Sequence, residues 1–91
     1  MAKSSTVRIT VISQKGHCSQ GHKVGDQWTI GSETIKAPEG LCLHALHSLY
    51  GSIVTLRYGG TFPWEKDTDR ASSACPDSGN PCVFEIRRLH E

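Results

Sequence analysis

Hydrophobic residues occupy every second position in two stretches of the chain. Near the beginning, residues 6–12 read T-V-R-I-T-V-I, and near the end, residues 82–89 read C-V-F-E-I-R-R-L. A period of two is typical of strands that bury one face. Shorter runs around Trp28 and before Cys75 lie next to Gly or Pro turn signals. We therefore predict strands near residues 6–13, 26–32, 70–75 and 82–89.

The hydrophobic spacing changes between residues 41 and 58. Hydrophobic residues recur there every three or four positions, which is typical of one face of a helix. The members of this stripe are Cys42, Leu46, Leu49, Ile53 and Leu56. Pro38 precedes the segment and Gly59-Gly60 follows it, as at many helix ends, although no Ser, Thr, Asp or Asn stands at the N-cap. Gly51 leaves open one long helix or two short helices that meet there.

The predicted order β-β-α-β-β is typical of an α+β fold, in which one main helix packs on a small, mainly antiparallel sheet. With 91 residues the chain forms a single domain. Residues 1–5 are expected to be flexible. We expect the helix residues Leu46, Leu49 and Ile53 to be buried against the sheet. Their predicted partners on the strands are Val7, Ile9, Val11, Phe84 and Ile86.

Composition and charge exclude several classes of protein. Hydrophobic residues make up 36% and charged residues 21% of the chain, which is ordinary for a folded domain. The formal net charge of +1 gives no overall field that would attract nucleic acid or anionic lipid. No apolar run approaches the roughly 18 residues that a membrane span requires, and the first residues lack the apolar segment of a secretory signal. We therefore expect a cytoplasmic protein without membrane or nucleic-acid partners.

Four cysteines are the main candidates for chemistry. None belongs to a C-x-x-C pair, which excludes zinc ribbons and thioredoxin-like motifs. Cys18, Cys42 and Cys75 each stand at a turn or at the end of a predicted element, and in a sheet-plus-helix domain such positions can converge at one end. Cys82 alternates with Phe84 on the last strand, so we expect it to pack in the core.

Two histidines can complete a metal site with these cysteines. His22 follows Cys18 by four residues in H-C-S-Q-G-H, and His47 follows Cys42 by slightly more than one helical turn. Thiolate and imidazole are common ligands of zinc and iron. The sequence thus predicts a zinc or iron site that includes Cys18, Cys42 and Cys75, with His22 as first and His47 as second candidate for the fourth ligand. His44 is expected to lie at the surface.

Other interpretations of the same residues stay open. The thiols can be inert packing groups, or form disulfides, which a reducing cytosol disfavours. Alternatively, Cys18 or Cys42 acts as the nucleophile of an enzyme, with a histidine as base. A third hypothesis is an interaction module that presents Phe62-Pro63-Trp64 to a protein partner or a second copy of the chain, although Phe62 and Trp64 can equally close the core. No nucleotide-binding, hydrolase or metalloprotease motif is present in the sequence.

Four sequence blocks resemble a family of small uncharacterised prokaryotic proteins of about this length. The blocks are C-x-x-G-H-K-V-G-D-x-W, A-P-E-G-L-C-x-x-A-L-H-x-L-Y, L-R-Y-G-G-x-F-P-W and A-C-P-D-x-x-N-P-x-V-F-E-I. The resemblance extends over residues 7–89. In the family pattern, cysteines match Cys18, Cys42 and Cys75, the position of Cys82 is usually aliphatic, and His22 matches some members only. The resemblance therefore implies a three-cysteine site, leaves the fourth ligand open and implies no reaction.

Overall fold

In the part of the chain that the structure describes, four strands and one helix follow one another in the order that the sequence predicts. The computed structural model describes residues 4–18, 20–33 and 36–90. Its elements are β1 (Thr6–Gln14), β2 (Gln27–Ile30), α1 (Leu43–Arg57), β3 (Arg70–Ala74) and β4 (Cys82–Leu89). The helix is continuous through Gly51, so the alternative of two short helices is wrong. Within the described residues, no helix combines the length and the apolar character needed to cross a bilayer.

The strands form one sheet in the order β2-β1-β4-β3, and every neighbouring pair is antiparallel. The register joins the predicted hydrophobic positions in rows across the sheet. Ile9 lies opposite Trp28 on one side and opposite Ile86 on the other, and Ile86 in turn lies opposite Ala71. Because opposite residues share a face of the sheet, these rows form one hydrophobic surface. The helix covers that surface, which confirms the α+β prediction.

The helix buries a face slightly different from the predicted one. Leu49 and Ile53 are buried as expected, but Leu46 is only partly buried. Ala45 and Leu56 are nearly inaccessible to solvent. The buried face of the helix therefore begins with Ala45 and not with Leu46. The small Ala45 side chain lets the start of the helix approach the sheet. The predicted strand partners are all buried: Val7, Ile9, Val11, Phe84 and Ile86.

Two arginines fasten the end of the sheet where α1 finishes. Arg88 donates hydrogen bonds to the Leu56 and Gly60 carbonyls, at 3.1 and 2.9 Å, and also to Asp69. Arg57 donates to the carbonyls of Gly31 and Ser32 at 2.7 and 2.8 Å. These contacts tie the helix C-terminus to the neighbouring loops. The opposite end, where α1 begins, contains the cysteines.

The chain before β1 and the loop after α1 both differ in part from expectation. Ser5 is half-buried and its N–H donates to the Arg57 carbonyl at 2.8 Å, while residues 1–3 of the predicted flexible segment lie outside the described residues. Phe62 packs against the core, as the core-closing interpretation requires. Trp64, however, is 73% exposed and contacts Phe62 with ring centroids 5.0 Å apart, so it does not close the core.

Candidate functional site

One cavity at the start of α1 is bordered by all four cysteines. Its volume is about 330 Å³, and its walls include Cys18, Cys42, Cys75 and Cys82 together with His22. The first three belong to separate segments: the loop after β1, the residue before α1 and the loop after β3. Each of these three is half-buried, and all four are free thiols. The fold therefore places the three predicted cysteines at the border of one cavity.

Asn80 holds the loop that contains Cys18. Its side-chain oxygen accepts a hydrogen bond from the His17 N–H at 2.9 Å. Gly16 has a positive φ of 72°, and a Cβ at this position would collide with the same Asn80 oxygen. Asp77 in turn fixes Asn80, because its carboxylate accepts hydrogen bonds from the Asn80 N–H and from the Asn80 side-chain amide, at 3.2 and 3.3 Å. The β3–β4 loop thus holds the segment that contains Cys18 at the cavity that Cys75 and Cys82 also border.

His22 completes the start of α1. Cys42 is the N-cap residue and makes no capping bond through its side chain. Its backbone N–H donates instead to Nε2 of His22, at 3.1 Å. The His22 ring is buried and stands edge-on to Trp28, with ring centroids 4.8 Å apart. An N–H that the helix leaves without a partner is therefore satisfied by an imidazole from a distant segment.

The protonation of His22 agrees with this role. Burial lowers the pKa of His22 below its ordinary value, and the nearby negative charge of Asp26 only partly opposes the shift. The ring is therefore neutral at pH 7, with the Nε2 lone pair directed at the Cys42 N–H. A metal ion bound at Nε2 would have to displace this hydrogen bond.

Cys75 and Cys82 face each other across the β3–β4 hairpin. The Cys75 N–H donates to the Cys82 carbonyl at 2.9 Å, and the Cys82 N–H donates to the Cys75 sulfur at 3.3 Å. The Cys82 side chain is 1% exposed and belongs to the hydrophobic core, as predicted. Burial raises the pKa of the Cys82 thiol to about 11, and negative charge on Cys18 and Cys75 adds to the shift. Cys82 is therefore a neutral thiol at physiological pH.

No family model, curated protein or solved structure matches this chain significantly. The implied three-cysteine site of the small prokaryotic family thus stays an expectation.

The predicted ligands differ in how close they come to one another. Cys18, Cys42, Cys75 and His22 all border the cavity, whereas His47 is exposed on α1 and is not among the residues that line it. Across residues 4–18, 20–33 and 36–90, no three His, Cys, Asp or Glu side chains are arranged to hold a metal ion. The three cysteines therefore share a cavity, but the described residues contain no group arranged to hold a metal ion.

Three further Cys, His or Asp side chains border the cavity and were not among the predicted ligands. Cys82 contributes to the wall from the core side, His44 from the first turn of α1 and Asp77 from the β3–β4 loop. The first turn contains no acidic residue, so no carboxylate of the helix itself compensates the positive end of the helix dipole at the cavity. His44 stands two residues after Cys42, and this proximity was the only sequence signal for it. For Cys82, the alternation of hydrophobic residues in the sequence predicts burial only. The pairing of β3 with β4, which places Cys82 opposite Cys75, cannot be derived from that alternation.

Proposed function

We propose that this protein binds a thiophilic metal ion, zinc or ferrous iron, through the thiolates of Cys18, Cys42 and Cys75. One observation carries the proposal: three half-buried thiols from three separate segments border a single cavity. Thiolates are preferred protein ligands for both ions. A reducing cytoplasm keeps such thiols available, so a cytoplasmic location is part of this proposal.

In this proposal the three thiols approach a common ion by rotation of their side chains. Rotation about one side-chain bond moves each sulfur among three staggered positions. The four thiols are free and the cavity between them measures about 330 Å³, which leaves room for such rotations. We therefore expect metal binding to select rotamers that point inward, with each sulfur about 2.3 Å from zinc.

The start of α1 favours the charge of such a complex. Three thiolates around a divalent ion leave an excess of negative charge in the cavity. The first turn of α1 borders this space through His44 and Ala45 and has no acidic residue. The helix N-terminus carries a partial positive charge and stabilises anions beside it.

The fourth coordination position is proposed to be open to water or to another small ligand. His22 is the nearest predicted alternative, but its Nε2 accepts the hydrogen bond from Cys42. His47 does not border the cavity. With three protein ligands, zinc sites keep one position for an exchangeable ligand. In this proposal His22 positions Cys42 and does not bind the ion.

Metal content of protein purified without a histidine tag, under anaerobic and reducing conditions, tests the proposal. We expect one zinc or iron ion per chain in the wild type. Cys42→Ser should lose the bound metal and should also be less stable, because metal binding contributes to the folding free energy. Cys82→Val is the matched control and should retain the metal. Wild-type protein without stoichiometric metal, or Cys42→Ser with unchanged metal content, would contradict the proposal.

A further inference from the structure

Cys75 and Cys82 occupy directly opposite positions of an antiparallel hairpin. Ala74 pairs with Val83, and the hydrogen bond from the Cys75 N–H to the Cys82 carbonyl extends this register by one residue. In a regular pair of this kind, both residues exchange N–H···O=C bonds. Here the second bond is replaced, because the Cys82 N–H donates to the Cys75 sulfur at 3.3 Å. The Cys75 side chain is therefore folded across the hairpin onto Cys82.

This geometry fits a disulfide. Opposite residues in antiparallel strands have Cα atoms about 4.5–5.5 Å apart, and disulfides form when this distance is about 4.4–6.8 Å. Both side chains also lie on the same face, because both border the cavity between sheet and helix. The register therefore places the two cysteines at a backbone separation that a disulfide can span.

We propose that Cys75 and Cys82 form a dithiol–disulfide couple that reacts with small-molecule disulfides. The hairpin register and the contact between the Cys75 sulfur and the Cys82 backbone support this couple, with or without a bound metal.

The two thiols differ in access, which gives the reaction an order. Cys75 is half-buried and borders the cavity, whereas Cys82 is 1% exposed. The Cys75 thiolate attacks one sulfur of the small disulfide, forms a mixed disulfide and releases one small thiolate. Cys82 then gives its proton to the released small thiolate and attacks the Cys75 sulfur, which releases the second small thiolate. In total, two protein thiols lose two electrons and two protons, and the small disulfide is reduced to two thiols.

Oxidation would also change the metal site. A Cys75–Cys82 disulfide removes Cys75 from the three thiolates that are proposed to bind the ion. The oxidised protein should then lose its zinc. This consequence, unlike the disulfide itself, rests on the proposed function.

Oxidised glutathione and reduced, metal-free full-length protein test the couple. We expect intact mass to fall by two hydrogen atoms and peptide mapping to identify a Cys75–Cys82 link. The double variant Cys18→Ser/Cys42→Ser keeps the hairpin pair and should form the same link. A lasting glutathione adduct on Cys75, a link that involves Cys18 or Cys42, or the absence of oxidation would overturn the couple.

Zinc binding to the oxidised wild type separates this inference from the metal proposal. We expect the disulfide form to bind no zinc and reduction to restore binding. If the link forms while zinc binding is unchanged, the couple stands and Cys75 is not a ligand. If zinc binds to the reduced protein but no link forms, the metal proposal stands and the couple fails.

Discussion

His22 has the role that a Glu or Gln side chain at the third helical position has in a capping box, because it accepts the backbone N–H of the N-cap residue, Cys42. His22 lies twenty residues before Cys42 in the chain, and its imidazole Nε2 accepts the hydrogen bond from the Cys42 N–H at 3.1 Å. The same ring packs against Trp28 and Phe84. One residue therefore connects the loop after β1, the helix start and the core.

Replacement of His22 distinguishes a positioning residue from a metal ligand. His22→Ala leaves the Cys42 N–H without its acceptor, so we expect the free energy of unfolding to fall by about 1–3 kcal/mol. At saturating zinc, the folded variant should still bind the wild-type amount of metal. Denaturant unfolding and metal analysis measure the two effects. His17→Ala, at an exposed position, is the control and should be neutral within about 0.5 kcal/mol. Complete loss of zinc in His22→Ala would instead identify His22 as a ligand.

Gly16 supplies a second prediction at the scale of one residue. Its positive φ and its closeness to the Asn80 oxygen both oppose a side chain. Gly16→Ala should therefore lower the free energy of unfolding by more than about 1 kcal/mol. Gly51→Ala is the matched control, because a Cβ there meets nothing and Ala favours a helix by up to about 1 kcal/mol. Equal unfolding midpoints for the two variants would contradict the assigned role of Gly16.

At the scale of the elements, the buried face of α1 holds the two layers together. Leu49 is inaccessible and lies in the core cluster with the residues of β1 and β4. Leu49→Ala should cost roughly 2–5 kcal/mol, a large part of the stability of so small a domain. Leu43→Ala removes the same atoms at a position that is 75% exposed, and it should be nearly neutral. Similar thermal unfolding of both variants would show that α1 does not pack as described.

The elements could be predicted from the sequence because each has a clear hydrophobic period. The choice between Leu46 and Ala45 as the first buried position could not, since both lie three or four residues before Leu49. Only the fit of the helix against the sheet decides in favour of the smaller side chain. Likewise, the places of Cys18, Cys42 and Cys75 at element ends indicate the one cavity that all three border, whereas the acceptor role of His22 depends on a contact between distant segments.

At the scale of the whole molecule, the outer face of the sheet is held by ion pairs that depend on pH. Burial tends to raise the pKa of Glu85, but hydrogen bonds from Arg70 and Arg87 outweigh it and hold this pKa below its ordinary value of 4.5. The folded state therefore favours the ionised carboxylate. Its contribution to stability is complete above the unfolded-state pKa and is lost as the pH falls through the lower folded-state value.

Glu85→Gln tests this dependence. We expect the variant to be less stable than the wild type at pH 7 by up to about 1 kcal/mol, because the pairs are partly exposed. The difference should shrink below pH 4.5, as the wild-type carboxylate becomes protonated. Urea unfolding at a series of pH values measures it. Glu39→Gln, at an exposed position, should show no such trend. A constant difference across the series would mean that the charge of Glu85 does not contribute.

The thiols of the molecule lie at the end where α1 begins, and we propose that three of them hold one metal ion. X-ray absorption spectroscopy at the zinc edge of the metal-loaded protein tests this most directly, because it measures the number of ligand atoms and their distances from the ion. We predict three sulfur atoms at about 2.3 Å and one lighter ligand. A shell made only of nitrogen and oxygen, at about 2.0–2.1 Å, would contradict the account.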